Sequence, residues 1–314
     1  MNRAGWLVAS LAAVALFGPF AAPYGPVQRF DDYLYAPPMR VHMDGGGFYA
    51  HPLVLVDRLE QRFDVDTARR AALPWSAPAG SPPVLLLGAD GFGRDVLSRV
   101  LHGARASLGL ALLATAVTLV VGALAGAWAG LAGGVVEQGI LRFGDVLIVI
   151  PALYAVVALR AALPLVLPTS TVVVALAAIL VLLGWPRVAR GVWSIVRAEV
   201  REEYVQAARA LGASRWRIVT RHLLPACGGF LGVQTALLVP SFVLTEATLS
   251  YVGLGFPETI PSWGTALSEA ANVSALARAP WMLAPALAIF LVVLATNVLL
   301  GRTSPSAAEA AQPR

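Results

Sequence analysis

The sequence predicts an all-α polytopic membrane protein: six transmembrane helices, with an extended extracytoplasmic region between the first and the second. Three observations lead there. The 314 residues are 58% hydrophobic and only 13% charged, with a mean hydropathy of +0.72, whereas a soluble domain is nearer half apolar and a quarter charged. Apolar runs of roughly 15–27 residues recur along the chain, the length a helix needs to approach the thickness of a bilayer core. Pro, Gly and Arg punctuate these runs, and one long stretch, residues 23–106, is polar.

The formal charge of +5 does not point to nucleic acid, because a polytopic protein concentrates basic residues in its cytoplasmic loops for topological reasons. A single cysteine, Cys227, excludes an internal disulfide and a cysteine metal cluster. His42, His51, His102 and His222 lack metal-ligand spacing, and no nucleotide-binding P-loop is present. Any ATP must therefore be handled by a partner.

Taken in order, residues 1–22 form the first span, with Trp6 to Ala22 apolar behind Arg3. A secretory signal is the other reading of so short a run. The extracytoplasmic region 23–106 is rich in Pro and Gly, and residues 23–105 carry nine arginines against nine acids. Tyr33, Tyr35, Phe48, Tyr49, Phe63 and Trp75 could give it a modest core. The membrane-spanning core occupies 107–300. Its first helix, Ser107 to Leu131, has Gly122, Gly126 and Gly130 on one face, a spacing that lets helix backbones approach in lipid, within this chain or against a second subunit. A short turn containing Glu137, Arg142 and Asp145 leads to a span at Val146–Leu163 interrupted by Pro151. The fourth span, Thr171–Trp185, is ended by Pro186 and Arg187. Gly228–Leu254 is the fifth. Its one acid, Glu246, lies 19 residues beyond Cys227, or about 28 Å along a helix, close to the outer surface. There it is either a polar group at the outer mouth of a pathway or an interfacial acid held by its neighbours. Trp281–Leu300 is the sixth span, and the Ala-, Ser- and Pro-rich tail 301–314 reads as disordered.

The loop of about 186–225 is the most charged part of the core. Through His222 it holds eight arginines against three glutamates, which places it, and with six spans both termini, in the cytoplasm by the positive-inside bias. Val200, Tyr204, Ala207, Ala208 and Leu211 recur at helical spacing, so a short amphipathic helix is expected over 200–211. Gly212 suits the left-handed closing position, Ser214 can cap a second helix, and Trp216, Val219 and Leu223 mark its apolar stripe up to Pro225. Small residues beside a glycine break let another protein's surface come close to the backbone; a solvated loop between two membrane spans is the other reading of the pattern.

Gln206-Ala207-Ala208, Gly212 and Leu224-Pro225 resemble the "EAA" loop of permease subunits of binding-protein-dependent ABC importers. Gln206 stands where that loop usually has Glu, and His222 where it has Ile. Gly88 to Arg105 resembles the "GTDxxGRDxxSRxxxGxR" segment of the dipeptide, oligopeptide and nickel class, with Ala89 for Thr, and Glu246 to Gly255 with Pro261-Ser262-Trp263-Gly264 resembles its "EAxLSFLGLG" and "PSWG" segments. The resemblance implies a type I ABC importer permease fold, a second permease subunit, two ATPase subunits that use ATP and Mg, and an extracytoplasmic substrate-binding protein. It implies no catalytic residue, no metal and no cofactor in this chain. It also implies an ATPase-coupling surface at Glu203, Tyr204, Gln206, Ala207, Ala208, Leu211, Gly212, Arg215 and Pro225. Peptides are the implied cargo, with nickel chelates and glutathione as alternatives. A rhomboid-like protease would need a serine and histidine buried within spans, and all four histidines lie outside them. An ion-driven carrier would want several mid-membrane acids, and only Glu246 comes near.

Overall fold

The computed structural model describes residues 3–45, 47–78, 80–151, 154, 158 and 168–301. Contacts divide the chain into two compact units, residues 1–10, 110–244 and 292–314 in one and residues 11–109 and 245–291 in the other. Among the described residues, four helices are long and apolar enough to cross a membrane: Val96–Ala132, Ser170–Glu199, Gly228–Tyr251 and Pro280–Val298. The N-terminal helix α1 (Arg3–Ala21) is a shorter apolar helix. Most of the expected third span, with Arg160, and the tail 302–314 lie outside the described residues.

The first unit is built on the part of α2 (Val96–Ala132) from Leu110 onward, α3 (Gly134–Val149) and α4 (Thr169–Glu199). Gly122, Gly126 and Gly130 lie against α4 of this same chain. A Cβ at Gly122 would stand 2.6 Å from that of Val188, one at Gly130 2.6 Å from Val196 Cγ1, and one at Gly126 would collide with the Ala189 carbonyl. Val188, Val192 and Val196 fill this groove and are fully buried. That continuous seam explains why Pro186 does not end α4, as the sequence suggested. The helix runs on for 13 residues to Glu199, held by packing that outweighs one missing backbone donor. A second correction concerns Glu137, Arg142 and Asp145, which belong to α3 and not to a turn. Trp193 Nε1 donates to Glu137 at 2.9 Å, and Arg190 pairs with Asp145, so the polar side of α3 is matched to α4.

Because the α2–α4 seam has no room at Gly126, Gly126→Ala is expected to overpack it, at a cost of about 1–3 kcal/mol. Gly139→Ala on α3, where an added Cβ meets nothing within 4 Å, should be neutral or slightly stabilising. Thermal aggregation of the two variants in detergent checks this: Gly126→Ala melts lower than the parent and Gly139→Ala does not.

The second unit overturns the all-α expectation. It contains a three-stranded antiparallel sheet, order β1-β2-β5, from Val41–Asp44, Gly47–Ala50 and Ala71–Ala72. Beside it in sequence is a bulged hairpin of β3 (Leu53–Asp57) and β4 (Arg62–Val65). Asp57 Oδ1 accepts from the backbone of Leu59 and Glu60, and Gln61 takes a positive φ of 51°, which closes the hairpin. Ala36, Met39, Ala50, Leu53, Val84 and Leu85 form the core of this lobe. Tyr24, Phe30, Tyr33 and Phe63 follow one another around it at centroid distances of 5.0, 6.4 and 6.4 Å. Phe48 and Trp75, expected inside, are exposed.

Helix α2 also begins 11 residues before the expected span, because Asp95 caps it, its Oδ2 accepting the Ser98 N–H at 2.8 Å.

Candidate functional site

After α4 the chain turns at 200–202 into α5 (Glu203–Ala210), then α6 (Arg215–Ile218), a π turn (Val219–Leu223), α7 (Leu224–Ala226) and the long α8 (Gly228–Tyr251). The expected helix over 200–211 is thus shorter and starts three residues later. Its buried residue is Val205, which packs with Val196, Ile218, Val219, Leu223 and Cys227. The apolar stripes read from the sequence lie largely at the surface: Tyr204 is 45% exposed, Leu211 88%, and Trp216 60%. Gln206 and Ala207 are also exposed, and Ala208 is half-buried.

The turn between α5 and α6 is made by the backbone. Gly212 has φ +81°. Its N–H reaches the Arg209 carbonyl at 2.9 Å, while Ala213 N–H reaches Ala208 at 3.0 Å. That pair of bonds is the Schellman closure, which satisfies the last carbonyls of a helix and requires a residue at ease with positive φ. Ser214 Oγ then accepts the Arg217 N–H at 3.3 Å and starts α6. Pro225 does not stop the second helix. The π turn before it absorbs the missing donor, with Leu224 N–H reaching back to Val219.

Side chains lock the entry to α5. Gln206 Nε2 donates to the Val200 carbonyl at 2.8 Å, and the Tyr204 hydroxyl donates to Glu199 at 2.5 Å. The Glu199 carboxylate pushes the Tyr204 phenol up to about 12, so it stays a donor. Glu203 and Arg215 are exposed, as is Pro225. The result is a knob anchored by Val205, with an outer face of Tyr204, Leu211 and Trp216 among arginines. Arg201, Arg209, Arg215, Arg217 and Arg221 show no ion pair among the described residues. Cys227 beneath the knob is buried, and burial pushes its thiol up to about 11. It should therefore stay unlabelled by maleimide in the folded protein and label only in denaturant; rapid labelling of the native chain would contradict the packing.

Other predicted residues gather in the second unit. Glu246 has no exposed surface: Ser250 Oγ donates to its Oε1 at 2.7 Å, and the Ser107 and Ser262 hydroxyls stand near it. The Trp263 N–H donates to Ser107 at 3.1 Å and its indole to the Val100 carbonyl at 2.9 Å, which seats α9 (Trp263–Glu269). The segment 88–99 forms a buried charge cluster. Arg94 Nε meets Asp90 Oδ2 at 2.8 Å and Arg94 Nη2 meets Glu269 Oε2 at 2.5 Å. Arg99 Nη1 meets Asp90 Oδ2 at 2.7 Å and also pairs with Glu269. Burial alone would raise Asp90, but the Arg99 and Arg94 guanidiniums hold its carboxyl below the usual range. Sequence reasoning missed Glu269. The available signal was that Arg94 and Arg99 fall on the outer side against the positive-inside bias and therefore need buried acids, and that Glu258 and Glu269 are the only acids in 256–279.

Residues 122–308 match the family of binding-protein-dependent transport system inner membrane components. The chain is 32% identical to the di/tripeptide transport system permease protein DppC of Pseudomonas aeruginosa (strain UCBPP-PA14), over 91% of this chain and 80% of that one. It is 36% identical to the oligopeptide transport system permease protein OppC of Bacillus subtilis (strain 168), over 62% of each chain. To the glutathione transport system permease protein GsiD of Pectobacterium atrosepticum it is 35% identical, over 68% of each. The family match covers more than half of the 314 residues and contains the whole helix, glycine turn and helix unit. This chain therefore belongs to the family of binding-protein-dependent transport system inner membrane components, as a multi-pass membrane permease subunit.

Proposed function

We propose that the chain is the permease of an ATP-driven importer of short peptides and that the knob 200–225 is its docking surface for the ATPase. ATP is bound and hydrolysed by partner subunits with Mg, a second permease subunit completes the path, and an extracytoplasmic binding protein delivers the cargo. The chain lies in the inner membrane with both termini and the knob in the cytoplasm. The observation that carries this reading is the knob's division of labour: one buried anchor, Val205, and an outward face of Tyr204, Leu211 and Trp216 that nothing in the chain covers among the described residues. An apolar face of that kind, with arginines around it, fits an apolar cleft with an acidic rim. ATP would drive the cycle through its preference for the closed ATPase pair, since a ligand shifts an equilibrium only by its differential affinity.

Peptide cargo rests on the relatives named for di/tripeptides and oligopeptides; the relative named for glutathione supports the same chemistry, a short peptide. In proteoliposomes holding the whole complex, uptake of labelled trialanine should require ATP and stop with orthovanadate. Uptake that continues with orthovanadate present, driven by an ion gradient, would contradict the assignment.

A further inference from the structure

Asp95 and Arg99 each leave one polar atom unused within the second unit. Asp95 spends Oδ2 on capping α2, through the Ser98 N–H at 2.8 Å and Oγ at 2.6 Å, and its buried Oδ1 has no hydrogen-bond partner. Arg99 sends the same atom, Nη1, to both Asp90 and Glu269, and its buried Nε has no partner either. A buried donor and a buried acceptor both left unpaired are costly and call for an explanation. These two lie four residues apart at the start of one helix, the spacing at which an acid and an arginine pair on a helix surface.

We propose that Arg99 has two carboxylate docks, the Asp90–Glu269 pair it occupies here and Asp95 Oδ1, and that exchange between them loosens the hold of the 88–99 segment on α9 during transport. The exchange strands no charge. When Arg99 turns to Asp95, Arg94 still bridges Asp90 at 2.8 Å and Glu269 at 2.5 Å. Each arginine thus keeps a carboxylate in either arrangement, so the exchange trades one buried ion pair for another. A small cavity lined by Asp90, Val96, Arg99, Ala266, Glu269 and Met282 lies against the Arg99 side chain. Burial pushes the Asp95 carboxyl up. In the arrangement seen, Glu269 gives one oxygen to both arginines, so losing Arg99 weakens the hold on the C-terminal end of α9 without abolishing it.

The inference rests on the importer assignment, and the test separates the two. The pair Val96→Cys with Ala266→Cys, both lining the cavity, is oxidised to lock α9 in the whole complex, with native Cys227 buried out of reach. Trialanine uptake should fall at least about 10-fold on oxidation and return with dithiothreitol. Asp95→Asn keeps a capping oxygen and removes the second dock; uptake should fall about 10-fold with normal membrane accumulation. Glu269→Gln weakens the first dock and should raise ATP hydrolysis without the binding protein about threefold, a gain that a merely structural role would not produce. Wild-type transport with an oxidised pair that transports as fast as the reduced one, or with Asp95→Asn at full rate, overturns the clasp alone. Absence of vanadate-sensitive uptake in the wild type overturns the importer assignment and the clasp with it.

Discussion

Gly212→Pro is expected to abolish co-purification of the ATPase subunits and substrate uptake together, while the chain still accumulates in the membrane. Proline holds φ near −65°, and Gly212 sits at φ +81°. The substitution also deletes the N–H that closes α5 on Arg209. Strain of roughly 1–3 kcal/mol from the misfitted backbone adds to the lost closure, more than a helix of eight residues can absorb. Because an added Cβ at Gly212 meets nothing within 4 Å, the defect would be conformational, and Gly212→Asn, which tolerates positive φ better than other side chains, should retain most docking. Ala208→Glu should also break docking by placing a charge at the half-buried end of the knob. Normal co-purification of the ATPase with Gly212→Pro would refute the assignment.

Arg99→Ala is expected to be the most destabilising single change in the second unit. It leaves Asp90 and Glu269 sharing Arg94 alone, in a site where the side chains are 4–14% exposed. Removing one partner of a buried ion pair typically costs about 3–5 kcal/mol, because the remaining charges cannot return to water. Membrane accumulation should fall severalfold and the detergent-solubilised melting temperature should drop. The exposed pair Arg58–Asp32 at 2.5 Å provides the contrast, since Arg58→Ala should cost well under about 1 kcal/mol. Equal effects of the two changes would show that the buried cluster is not holding the lobe.

The turn at Gly212 and the cap at Ser214 were legible because a single residue type decides each. The helix entering that turn was less so. Tyr204 and Leu211 keep helical spacing, yet their stripe faces outward, because periodicity marks an apolar face without saying whether the chain itself covers it. Val205, the real anchor, is one β-branched residue and shows no period of its own. Pro186 looked like a stop because its cost is local, while what outweighs it, the glycine groove of α2, lies more than 50 residues away. The strands of the second unit, two to five residues each, are too short for alternation to register. Glu269 was invisible because its partners are 170 and 175 residues distant. Gln206 departs from the usual acid of such loops, and the structure supplies a reason: its amide donates to the Val200 carbonyl, which a carboxylate could not do. Gln206→Glu should loosen that turn slightly and leave docking in place.

The central claim is that the 200–225 knob lies on the ATP side of the membrane and meets the ATPase there. Leu211, 88% exposed at the knob's tip, is the position to probe, with buried Cys227 as a silent background. Leu211→Cys should react with a membrane-impermeant maleimide in inside-out vesicles and not in right-side-out ones, and bound ATPase should protect it. Labelling of Leu211→Cys from the outside, or equal labelling with and without the ATPase, would contradict the account.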